Sequence, residues 1–224
     1  MSFFYYDTQS KLQRVEQLVA KDKDGTKQTE KVSECSPGPV ADEEILARSL
    51  EYPNKFTDEG GLSDILFQDA FTHGASAQRL PGGWDIHSSD VHSRFEFRAK
   101  SRREGTDGRA PDPENLYIGA FHMSAAELRA CKLDSDKASR VRIYDAGEAA
   151  DQLHAEIVVD ATGLSRPQRK EMRVRLMVLA QRRGLFVSPH LPAEDFGRAE
   201  RSQCEMHLPP VHESIRYSGQ SSAT

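Results

Sequence analysis

The sequence predicts an α+β fold, a small two-layer sandwich of helices on a mixed or mostly antiparallel sheet, with N- and C-terminal segments that are disordered or extended. Three observations point there. The later half reads as strand, helix, strand, strand, helix, strand, each run short and bounded by turn or capping residues. After the aromatic amino terminus, the first strongly apolar run comes only at 62–71. Hydrophobic residues make up 37% of the 224 and charged ones 29%, more polar than one compact core of this size needs. Part of the chain is therefore expected to lie outside the core.

Residues 10–20 carry Leu12, Val15, Leu18 and Val19 at i, i+3, i+6 and i+7, the spacing of a short amphipathic helix. Over 21–40 the chain turns to KDKDGTKQTEKVSECSPGPV, too polar to offset chain entropy by burial, and reads as a linker. Residues 1–40 thus form an aromatic and helical segment with a polar linker ahead of an α/β domain at 41–192.

Within that domain, Asp42 can cap a helix through Ile45, Leu46, Ser49 and Leu50, stopped by Pro53. A second apolar run over 62–71, LSDILFQDAF, has helical spacing. Residues 72–113 read as a long irregular loop holding Gly74, Pro81, Gly82, Gly83 and Trp84; only SRFEF at 93–97 alternates like a strand, with Phe95 and Phe97 on one face.

The later elements are clearer. LYIGAF at 116–121 is a strand, Ser124 and Glu127 make a capping-box start for a helix ending at Cys131, and VRIY at 141–144 is a strand. HAEIVV at 154–159 is another, the turn ATG follows, and a long helix runs from Ser165 to Gly184 with Pro167 in its first turn. A short edge strand at 185–187 completes the set, and 193–224 read as a flexible polar tail.

A net charge of -5 and a pI near 5.9 exclude a surface coated in positive charge, so a nucleic-acid role would have to be local. Cys35, Cys131 and Cys204 lie far apart with no CxxC pair, which suits reduced thiols in the cytoplasm. The amino terminus lacks the basic and apolar regions of a signal peptide, and no window approaches the ~18 apolar residues of a membrane span. No GxxxxGK[ST], GxGxxG, GxSxG or HExxH is present.

Four groups of residues carry the candidate chemistry. His87 and His92, with Asp85 and Asp90, offer the imidazole and carboxylate that zinc or manganese accepts, although the spacing matches no metal signature. Cys204, His207 and His212 form a second ligand set that could fold the tail around zinc. His122 and His154 stand at strand ends beside helix starts, where α/β sites assemble, and would face each other if their strands were neighbours. Arg166, Arg169, Lys170 and Arg173 make a basic stripe along the long helix, suited to an acidic protein or to nucleic-acid phosphates, or simply to solvent.

A second basic run, RFEFRAKSRREG, interleaves aromatic and cationic residues as single-stranded nucleic-acid binders do. The leading expectation is a non-enzymatic module that docks on a protein or nucleic-acid partner through the basic helix, with the aromatic amino terminus or the long loop as a second contact. The rivals are a metal-dependent hydrolase or nuclease built on the histidines, and a small zinc-stabilised protein.

Overall fold

Leu46 and Leu50 decide the architecture, because both point from the centre of one sheet into the main core. The computed structural model describes residues 14–31, 34–53, 55, 63–80, 89–108, 110–147, 149, 151–182 and 185–187. Among them run six strands: β1 (Ile45–Tyr52), β2 (Ala75–Leu80), β3 (Leu116–Ser124), β4 (Val141–Asp145), β5 (His154–Val159) and β6 (Leu185–Val187). They form one sheet of order β4-β5-β2-β1-β3-β6, and every pairing is antiparallel. The helices are α1 (Arg14–Lys21), α2 (Ser89–Glu104), α3 (Ala125–Ala130) and α4 (Arg166–Arg182), with 3-10 helices at Thr26–Thr29 and Asp64–Phe71. This is an α+β sandwich.

The main core lies on one face of the sheet. There Leu46, Leu50, Ile118, Phe121, Ile143 and Ile157 meet Leu66 and Phe67 of the longer 3-10 helix, Leu128 of α3, and Met172 and Leu176 of α4. The opposite face carries two smaller clusters. Val91, Phe95 and Ala99 of α2 pack on Ala47, Leu80, Tyr117 and Ala120, while Leu18 and Val19 of α1 pack on Tyr144, Ala146 and Val158.

The elements of the later half stand as their sequence predicts. Ser124 caps α3, its hydroxyl accepting from the Glu127 amide at 3.4 Å, and β6 pairs at the sheet edge with β3. Three expectations for the earlier half are overturned. The expected helix through Ile45, Leu46, Ser49 and Leu50 is strand β1, because it is a central strand buried on both faces and so shows no polar alternation. The expected irregular loop at 72–113 contains β2 and α2. Within it the expected strand SRFEF is helical: Val91, Phe95 and Ala99 recur at i, i+4 and i+8 on the sheet side, while Phe97 is 70% exposed.

Within the run expected to be helical, Asp64–Phe71 is a helix but of 3-10 type, capped by Ser63 and kinked at Phe67. The polar stretch after α1 is not a solvated spacer where it is described. Asp22, Ser36 and Val40 are buried, and Gln28 Oε1 accepts the outward amide of Ile143 at 2.9 Å, closing the free edge of β4. Among the described residues no helix is long and apolar enough to cross a membrane. The aromatic amino terminus, His87, Cys204, His207, His212 and the polar tail lie outside the described residues.

Candidate functional site

Strand register aligns four residues in one row across the sheet. His122 of β3 stands opposite Ala47 of β1, Ala47 opposite Gln78 of β2, and Gln78 opposite His154 of β5. Directly opposed residues share a face, so the row lies on the side covered by α1 and α2. The two histidines share that face but do not touch, since two strands separate theirs and the three strand spacings amount to about 14 Å.

Gln78 is the residue the row turns on. It is 1% exposed, and among the described residues neither its Oε1 nor its Nε2 has a hydrogen-bond partner. Such an amide has lost its water without replacement, a state that proteins keep rare. Beside it, His154 Nε2 lies 3.3 Å from Glu156 Oε1, close enough for attraction when the ring is protonated but not aligned as a hydrogen bond. Glu156 is 2% exposed and faces Ser76, whose exposed hydroxyl donates to Oε1 at 3.4 Å.

On the α2 side, buried His92 places Nδ1 2.5 Å from the Tyr117 hydroxyl. Burial pushes that hydroxyl well above the ordinary tyrosine range, and the charges of Glu96 and Glu51 push it further the same way. His92 thus stands on helix α2, not in a loop, packed against Tyr117. Among the described residues no group of three or more His, Cys, Asp or Glu side chains could hold a metal ion, so nothing described adds a third ligand to His122 and His154.

The basic stripe of α4 divides in two. Arg173 is a structural tie: it grips Asp64 Oδ2 at 2.9 Å and Gln68 Oε1 at 2.9 Å, with its guanidinium 5.9 Å from the Phe71 ring centroid. Arg169 donates to the Leu164 carbonyl at 3.2 Å and the Ala161 carbonyl at 3.5 Å, closing the turn before the helix. Arg166 and Lys170 are exposed, as Arg169 is, but make no ion pair among the described residues. The second basic run is likewise engaged, with Arg94 and Arg98 on Asp151 and Arg102 on Glu51.

Gln78, Glu156 and Ser76 escape sequence reasoning because each depends on cross-strand register. Once β2 is recognised as a strand, a polar residue two places from its buried end would have been the signal. Compared with known proteins, the chain matches no family model, and no curated protein and no solved structure matches it significantly. The fold and the row together describe an antiparallel α+β protein with an enclosed polar strip on its sheet.

Proposed function

We propose that the protein is a binding module whose polar row holds a small polar ligand, with Gln78 as the recognising side chain and His154 beside it. The observation that supports this is the buried, unpartnered Gln78 amide. An amide left this way costs about 1–3 kcal/mol, a large fraction of the stability of an ordinary domain. Natural chains retain such costs where function requires them. A thermal-shift screen of small polar molecules tests the reading. Wild-type protein should be stabilised by a ligand that leaves Gln78→Leu unaffected, and a ligand that stabilises both equally would overturn it.

A second reading keeps the docking of an acidic protein or nucleic acid on α4. It is favoured by Arg166 and Lys170, which are exposed on adjacent turns and make no ion pair among the described residues. Arg169 and Arg173 contribute to that surface only after their intrachain bonds.

A further inference from the structure

We infer that the ligand of the row is a neutral planar molecule presenting a hydrogen-bond donor and acceptor side by side, as a carboxamide or a nucleobase edge does. This deepens the binding role proposed for Gln78 and rests on it.

The chemistry follows from the two buried atoms of one side chain. A glutamine amide offers an acceptor oxygen and a donor nitrogen in one plane, and both lack a partner among the described residues. A ligand that engages one atom leaves the other dry and unsatisfied, so the full gain goes to a group that answers both, as in the bidentate contacts glutamine makes to adenine. An anion would satisfy Nε2 and oppose Oε1. It would also meet the carboxylate of Glu156, which lies on β5 two residues from the residue opposite Gln78. A simple cation would satisfy Oε1 and oppose Nε2. His154 extends the recognised edge, since it stands directly opposite Gln78 and its Nε2 makes no hydrogen bond.

Sites of this kind reject analogues that lack the paired group, because the buried atoms are then left alone. The test uses the full chain labelled with nitrogen-15. The Gln78 side-chain amide pair is assigned by its disappearance in Gln78→Leu and followed on addition of adenine, nicotinamide, acetate and phosphate.

Adenine or nicotinamide should shift the Gln78 signals and bind with affinity reduced at least tenfold in Gln78→Glu, which replaces the donor by a second acceptor. A response to adenine alone assigns a nucleobase, and to nicotinamide alone a carboxamide. If acetate or phosphate moves the Gln78 signals while both neutral probes do not, the site stands and the planar amide class is overturned. If no probe moves them, both the class and the binding role fall. Gln78→Met serves beside Gln78→Glu as an apolar variant of similar size, so a folding defect in the charged variant does not hide the result.

Discussion

Gly74 leaves the space that the Glu156 carboxylate fills. A Cβ placed on Gly74 would lie 2.6 Å from Glu156 Oε2, and Gly74 adopts a φ of +92° that side-chain-bearing residues avoid. Glu156 is buried, so its carboxylate must shift within the packed strip to make room. Gly74→Ala is therefore expected to destabilise the fold by about 2–4 kcal/mol, the sum of backbone strain and overpacking. In a Glu156→Ala background only the backbone part, about 1–2 kcal/mol, should remain. Urea denaturation of the four proteins measures the difference; equal costs in both backgrounds would show that the two residues do not compete for space.

Gln78→Leu is expected to raise stability by about 1–2 kcal/mol, because it replaces an unpartnered buried amide by an apolar group of similar size. Most core substitutions do the reverse. A lower urea midpoint for Gln78→Leu would mean that the amide is satisfied in solution, and the argument for a ligand there would lose its base.

Local signals announced the later half of the fold and the helical runs at α1 and Asp64–Phe71, and missed the strands β1 and β2 for one physical reason. β4, β5, α3 and α4 carry their evidence in neighbouring residues: branched strand runs, Ser124 as the cap of α3, and Pro167 in the first turn of α4. β1 and β2 hold buried arginines whose partners lie elsewhere in the chain. Arg48 donates to the Leu66 and Ser76 carbonyls and to Asp69, and Arg79 takes both oxygens of Glu44 and the Gly38 carbonyl. Asp22 likewise looks like a linker residue until Tyr144 donates to it at 2.5 Å and Arg142 covers it. His122 and His154 were legible as strand-end residues, but only the register reveals Gln78 between them.

Asp69 sets an acid limit on the fold. Burial alone would raise its carboxyl, but the charges of Arg48 and Lys55, with the Arg48 hydrogen bond, outweigh it and hold the group below its ordinary 3.8. A folded value below the unfolded one gives stability that is complete above 3.8 and lost as pH falls through the folded value. Asp69→Asn should cost about 1–2 kcal/mol near neutrality, allowing for a side chain that is partly exposed. It should also flatten the loss of stability on acidification. Denaturant midpoints taken between about pH 5 and about pH 2 check this, and parallel curves for the two proteins would rule out a lowered carboxyl.

Cysteine reactivity should separate Cys131 from Cys35. Burial pushes the Cys131 thiol up to about 11 despite the opposing charges of Arg175 and Arg182, and its sulfur sits 3.7 Å from Met172 Sδ. The thiolate is the reactive form, so Cys131 stays inert at neutral pH while the exposed Cys35 reacts. Peptide mapping after brief iodoacetamide treatment of the native protein should find Cys35 modified and Cys131 intact, with Cys131 reacting once the chain is unfolded. Equal labelling of both in the native state would contradict the packed position of Cys131 under α4.

The two halves of the α4 stripe should respond differently to substitution. Arg173→Ala breaks a partly buried ion pair with Asp64 and a contact with the Phe71 ring, and is expected to cost about 1 kcal/mol. Arg166→Glu with Lys170→Glu touches no ion-pair partner among the described residues and should leave stability within about 0.5 kcal/mol. If α4 docks an acidic partner, the charge-reversed protein should elute from a heparin column at lower salt than wild type, since fewer counterions are released on binding. Arg173→Ala should elute close to wild type as long as it remains folded, because its guanidinium is already held by Asp64. Identical elution of wild type and the charge-reversed protein would leave α4 as a solvated face and the polar row as the remaining binding surface.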